Sequence, residues 1–207
     1  MELVARGLAV ARGERVVFQG LDLAVLARRP LLVRGANGAG KTSLLRVLGG
    51  LADPLAGQVA LVTGEGRSLD SRAERADRLH FLGHTDGLKP ALTVADHLSH
   101  WSAFFGPVAS QNASAMDQLG LDSLLSVPVR FLSVGQRRRV ALARLLHGRR
   151  PVWLLDEPSS GLDAEGVAAL EGVLNAHAEA GGVLVAATHL PLALANSTEL
   201  HLGEARS

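Results

Sequence analysis

Short apolar runs broken by glycine, proline or charged residues fill the first 34 positions of the chain. They predict strands over Leu3 to Val10, Val16 to Phe18, Leu21 to Leu26 and Leu31 to Arg34, punctuated by Gly13-Glu14 and Arg28-Arg29-Pro30. Leu31-Leu32-Val33 is apolar at every position rather than at alternate ones, the pattern of a strand covered on both faces of a largely parallel sheet. A glycine-rich loop follows, then a helical stretch from Ser43 to Leu48 closed by Gly49-Gly50. Gln58 to Thr63 and Leu79 to Leu82 again read as strands.

From about Thr93 to Leu146 the apolar period lengthens to that of helices. Thr93-Val94-Ala95-Asp96 is a helix start with a capping side chain, and Leu98, Trp101 and Phe105 recur at three- and four-residue steps. Trp101, Phe104 and Phe105 are expected to pack inside this helical segment, at least two of them buried. Val152 to Leu155 and Gly182 to Ala187 return to the buried-strand pattern, separated by a helix from about Ala164 to Ala180. The chain therefore reads as one α/β unit over 1–207, with a core at about 1–83 and 150–207 and a helical insert at about 84–149. No repeat or low-complexity stretch divides it.

Composition narrows the choice of function. A chain of 207 residues can bury a sizeable core as a single domain. Its 47% apolar and 20% charged content is that of an ordered globular protein. A net charge of +1 supplies no broad basic field, so nucleic acid is not the expected partner. With no cysteine there is neither disulfide nor thiolate chemistry. No apolar run approaches the ~20 residues of a membrane-spanning helix. Met1-Glu2-Leu3-Val4-Ala5-Arg6 also lacks the charged start and apolar stretch of a secretion signal, so the chain is expected to stay where it is made.

The strongest chemical signal is Gly35-Ala36-Asn37-Gly38-Ala39-Gly40-Lys41-Thr42, followed by Ser43, which fits G-x-x-x-x-G-K-[ST] in full. Glycines let such a loop bend tightly and turn consecutive backbone N–H groups onto phosphate oxygens. The helix that follows adds its positive end. Lys41 brings a full charge to the β- and γ-phosphates, and the Thr42 hydroxyl is a ligand for Mg²⁺. Lys41 is one of only two lysines in the chain, and the motif stands between an apolar strand and a helix, as the chemistry requires. Nucleotide binding follows; the type of nucleotide-binding protein does not.

Val152-Trp153-Leu154-Leu155-Asp156-Glu157 is an apolar strand ending in two carboxylates. By itself it reads as a strand running into an ordinary turn. In a phosphate-loop protein, an Asp here holds Mg²⁺ and a following acid can polarise the attacking water. Upstream lies Leu132-Ser133-Val134-Gly135-Gln136. With that segment in place the chain resembles the ABC ATPase family, whose signature is an LSGGQ-type sequence just before a helix. Ser160-Gly161-Leu162-Asp163 resembles the loop that crosses the dimer interface, and His189 the switch histidine. The ordered set covers the whole chain.

The resemblance implies an ABC-type fold: a mostly parallel sheet with flanking helices, an antiparallel β subdomain and a helical insert. It implies ATP and Mg²⁺ as ligands, Asp156 on the metal, Glu157 as the base, and His189 as the residue that bonds the γ-phosphate and positions the water. Two copies would close head to tail, so that Ser133, Gly135 and Gln136 of one cap the γ-phosphate held by the Gly35–Thr42 loop of the other. Arg12 stands where an aromatic residue often stacks on adenine; its guanidinium plane can do the same, or it is a solvated surface arginine. His84 stands where most members have glutamine, which keeps a hydrogen-bonding side chain in the loop but weakens the case for direct Mg²⁺ contact. Val134 replaces the first glycine of the usual pair. Arg137-Arg138-Arg139 reads as a solvated face without chemistry.

Gly83-His84, the compact length and the run Gly135 to Leu145 further resemble the ATP-binding subunits of cytochrome c maturation heme exporters. That resemblance implies membrane-embedded partner subunits that meet this chain near the groove by His84 and the helix carrying Trp101, Phe104 and Phe105. It also implies a peripheral place on the cytoplasmic face of a bacterial inner membrane, and heme delivery driven by ATP. Direct heme binding by this chain is not expected, since it has no C-x-x-C-H and no methionine-rich pocket. The alternatives are another ABC exporter, of lipid or drug, a soluble cluster-assembly ATPase, or a phosphate-loop kinase, which the Ser133–Gln136 segment opposes.

Overall fold

The computed structural model describes residues 1–13 and 15–203. Of the Gly13-Glu14 punctuation, Glu14 lies outside the described residues. The first strands, β1 (Glu2–Arg12) and β2 (Arg15–Leu26), pair antiparallel. The sequence suggested two strands where β2 is one: Gly20 interrupts the apolar pattern with φ of 66°, and a register shift absorbs it without ending the ladder. β4 (Ala56–Val62) and the short β5 (Ser68–Leu69) complete this sheet in the order β2-β1-β4-β5.

The second sheet is wholly parallel. Its strands are β3 (Leu31–Arg34), β6 (Leu79–Leu82), β7 (Val152–Asp156), β8 (Val183–Ala187) and β9 (Thr198–His201), in the order β6-β7-β8-β3-β9. All five residues of β7 and of β8 are buried, which is why both are apolar apart from Asp156 at the carboxyl end of β7. Alternate residues feed two cores. Leu31, Val33, Val152, Leu154, Val183 and Val185 pack with α1 (Lys41–Leu48) and the inner face of the antiparallel sheet. Leu32, Trp153, Leu155, Leu184 and Ala186 pack with the helices of the opposite side. Those are α3 (Val94–Phe105), α4 (Ala113–Gln118), α5 (Val134–Ala143) and α6 (Ala164–Glu179); a one-turn helix, α2 (Arg72–Ala76), precedes β6.

Helix ends follow their local chemistry. Thr93 and Asp96 form a reciprocal capping box at the start of α3, Ser133 and Gln136 another at α5, and Asp163 caps α6 by accepting from Gly166 N–H at 2.8 Å. The aromatics of α3 divide differently from the sequence reading. Trp101 is buried and Phe105 is only half-buried, while Phe104 is 71% exposed. β9 was not anticipated at all. Among the described residues, no helix is long and apolar enough to cross a membrane.

Candidate active site

The carboxyl ends of β3 and β7 face a cleft of about 390 Å³, the place where open parallel sheets hold their ligands. Arg12, Asn37, Gly38, Gly40, Lys41, Thr42, Ser43, His84, Asp156, Glu157 and His189 all line it. Residues far apart in sequence are thereby gathered on one wall and its rim.

At Gly35, Gly38 and Gly40 the loop takes backbone angles that only glycine adopts freely. Gly35 has φ of 142°, and a Cβ there would come 2.5 Å from the Leu202 carbonyl oxygen. Gly40 has φ of 101°, and a Cβ there would come 2.4 Å from Val17 Cγ1. Ala39 N–H donates to the Ala36 carbonyl at 3.1 Å, tightening the turn. Lys41 is buried, and its Nζ donates to the carbonyls of Gly35 at 2.7 Å and Ala36 at 3.3 Å, so the ammonium sits at the mouth of the loop. The arrangement presents a fixed cation and a helix start to an anion.

The Thr42 hydroxyl donates to Asp156 Oδ2 at 2.8 Å, although the two lie on different elements. A hydroxyl and a carboxylate at this separation are hard oxygen donors that suit Mg²⁺, which takes one or two protein oxygens and completes its shell with water and phosphate. These two residues therefore fit the implied ion.

Glu157 is the one residue of the β7 end with a positive φ, 47°, and this left-handed turn swings its side chain away from the strand. Its N–H donates to the Ala187 carbonyl at 2.8 Å. Its Oε2 lies 3.0 Å from His189 Nδ1 and accepts from the His189 N–H at 3.4 Å. Arg34 brackets the histidine from below: Nη1 donates to the carbonyls of Thr188 at 3.2 Å and Leu190 at 2.6 Å, and Nε pairs with Glu199 on β9 at 3.1 Å. Arg34 and β9 are thus part of the scaffold for His189, which sequence reading missed.

Ser133, Gly135 and Gln136 are not in this cleft. Ser133 Oγ accepts from Gln136 N–H at 3.1 Å, and Gln136 Oε1 accepts from Ser133 N–H at 2.9 Å, so each side chain serves the helix start. Gly135 packs against the Ser160–Asp163 loop, where a Cβ would come 3.1 Å from the Gly161 carbonyl oxygen. The reading of Arg137 to Arg139 as a solvated face is corrected. Arg138 is 3% exposed and bonds several loop carbonyls; Arg137 donates to the Leu132 carbonyl at 2.7 Å. The signal was present in the spacing: Arg138 precedes buried Ala141, Leu142 and Leu145 by three, four and seven positions, which puts it on the inward face of the helix.

The characteristic sequence pattern of ABC transporters matches residues 18–160, more than half of the chain. The chain belongs to the ABC transporter family. This ABC subunit is 46% identical over 205 residues to the cytochrome c biogenesis ATP-binding export protein CcmA of Nitrobacter winogradskyi, covering 99% of the chain and all of the relative. It is 48% identical over the same length to the CcmA of Rhodopseudomonas palustris, with the same coverage. Solved structures share the fold at lower identity. An ABC transporter ATP-binding protein from Pyrococcus furiosus aligns with a TM-score of 0.82 at 22% identity over 98% of both chains. A dimeric bacterial ABC transporter cassette aligns with a TM-score of 0.76 at 21% identity, covering 99% of this chain and 97% of that one.

Proposed function

We propose that this ABC subunit hydrolyses ATP on the cytoplasmic face of a bacterial inner membrane to drive heme delivery for c-type cytochrome biogenesis. The observation that carries the reading is the full-length identity of 46% and 48% to two CcmA proteins. Cargo recognition falls to membrane-embedded partner subunits. The cleft supports the catalytic half of the proposal, and each role below is part of it.

The Gly35–Thr42 loop and Lys41 hold the β- and γ-phosphates, and Arg12 stacks on the adenine from the cleft rim. Thr42 and Asp156 hold Mg²⁺, which when bound neutralises charge on the phosphate oxygens. Glu157 takes a proton from the attacking water as its oxygen bonds the γ-phosphorus and the bond to the β-phosphate oxygen breaks. His189, oriented by Glu157 and by the Arg34 bonds around it, hydrogen-bonds the γ-phosphate. A second copy, head to tail, brings the Ser133 and Gly135 end of its α5 to cap that phosphate, which is why those residues stand outside the cleft of their own chain. His84 lines the cleft and joins it to the loop that faces the membrane subunits. The unit boundaries drawn from the sequence, core at about 1–83 and 150–207 with an insert at about 84–149, belong to the same reading.

The test is the c-type cytochrome content of cells lacking the gene, complemented with wild-type protein or with Glu157→Gln. Loss of cytochromes in the deletion, restored by wild type and not by the variant, is expected. Normal cytochromes in the uncomplemented deletion would remove the heme assignment and favour an exporter of another cargo.

A further inference from the structure

Among the described residues outside the cleft, Arg138 has the most heavily hydrogen-bonded side chain. Nε donates to the Pro158 carbonyl at 3.0 Å, and Nη2 donates to the carbonyls of Asp156 at 3.0 Å and Glu157 at 2.8 Å. Three consecutive carbonyls of one turn thus converge on a single guanidinium. Nη1 reaches the other way, to the Gly83 carbonyl at 3.2 Å and to Asp86 Oδ1 at 2.9 Å. These last two residues flank His84. Arg138 itself is five positions beyond Ser133, on the helix whose start that residue caps.

Such a residue is a poor source of stability. A buried ion pair is often replaced by apolar groups at little net cost, because desolvating the charges offsets their attraction. What the guanidinium supplies instead is geometry: a rigid fork of donors that a lysine ammonium cannot reproduce. The turn it holds is the strained one, where Glu157 has φ of 47° and Ser160 N–H closes onto the Glu157 carbonyl at 3.1 Å. Without Arg138 the Asp156 to Pro158 backbone loses its common anchor, and the carboxylate that it aims loses its fixed direction.

We infer that Arg138 is a positioning residue for ATP hydrolysis, holding the Glu157 turn in register with the His84 loop and with the helix that begins at Ser133. The inference rests on Glu157 being the base. Through Arg138, three segments move as one: the turn serving this chain's own ATP, the loop next to the membrane subunits, and the helix start that caps the ATP of a second copy. A displacement of either of the last two is felt at Glu157 because the guanidinium is shared.

The test uses the full chain carrying Arg138→Gln, Arg138→Lys or the milder Asp86→Asn, with kcat and KM for MgATP, the Kd of a fluorescent ATP analogue, and Tm. Arg138→Gln is expected to lower kcat about 10- to 100-fold, the usual effect of misplacing a catalytic group by a fraction of an ångström to an ångström. The Kd should stay within about threefold, because Arg138 does not touch the phosphate loop. Arg138→Lys should restore little, and Asp86→Asn should show a smaller kcat loss of the same kind. In a Glu157→Gln background, Arg138→Gln should add no further loss, since no base remains to be aimed. Unchanged kcat in folded Arg138→Gln would overturn the inference. So would parallel loss of kcat and nucleotide binding, or an undiminished loss in the Glu157→Gln background. If Arg138→Gln does not fold, unchanged kcat in Asp86→Asn overturns it instead. Wild-type hydrolysis by Glu157→Gln alone would strike the base assignment, a separate failure.

Discussion

Acidification from about pH 7.5 to about pH 5 should destabilise the fold by about 4 kcal/mol, and two buried histidines set that figure. His177 lies flat on Trp153, ring centroids 3.7 Å apart and planes within 9°, and burial pulls its pKa down to about 4. His80 Nε2 donates to the His147 carbonyl at 2.9 Å, the ring packs edge-on against Phe105, and burial pulls its pKa down to about 3. In both, the folded value lies below the ordinary value of 6.5, so the unfolded chain binds more protons and stability falls with pH. The loss begins near 6.5 and continues toward the folded values. At about pH 5 each unfolded histidine is nearly fully protonated while its folded counterpart stays neutral, which amounts to about 2 kcal/mol apiece. His147, also pulled down by burial, adds in the same direction. Glu74, Asp96 and Glu199, held low by hydrogen bonds to Ser71, Thr93 and Arg34 respectively, act only below about pH 4.5 and do not blur the window. Urea unfolding followed by far-UV circular dichroism at the two pH values measures the difference. His177→Phe, which keeps a ring on Trp153, should remove about half of it. An unaltered pH dependence in that variant would refute the reasoning.

Gly40→Ala should destabilise the chain by about 1–2 kcal/mol for the left-handed backbone alone, with further cost from the contact on Val17, and should weaken ATP binding in calorimetry. Thr42→Val removes the hydroxyl that meets Asp156, so half-maximal ATP hydrolysis should require about tenfold more Mg²⁺. Arg12→Ala should raise the Kd for ATP about threefold if the guanidinium stacks on adenine; unchanged affinity would return Arg12 to the solvated surface. Thr93→Ala breaks the capping box of α3 and should cost about 1 kcal/mol in urea unfolding, with kcat for ATP unchanged.

How much of this was legible in the sequence follows from what carries a sequence signal. Apolar strands buried on both faces announce themselves, so β3, β6, β7 and β8 were visible, and so was the phosphate loop, whose glycines are forced by backbone angle and close contact. β9 was not: Thr198-Glu199-Leu200-His201 is a largely exposed edge strand with a polar pattern, and only its parallel pairing with β3 makes it a strand. Arg34 and Arg138 were passed over for another reason. Their partners are mainly backbone carbonyls, which any residue provides, so nothing at the receiving positions marks the bond. Of Trp101, Phe104 and Phe105 only Trp101 is buried, where two were expected, because periodicity places a side chain on a face without saying how fully a neighbour covers it. The three-residue signature at Ser133, Gly135 and Gln136 was found by resemblance, since a single chain gives those residues only a helix to cap.

Sedimentation of the Glu157→Gln variant with saturating MgATP tests the central claim most directly, that two copies enclose ATP and that Glu157 ends the complex by hydrolysing it. The account expects twice the monomer mass with ATP, reverting to the monomer when ADP replaces it or when Ser133→Arg is added. A variant that binds ATP and remains at the monomer mass would contradict it.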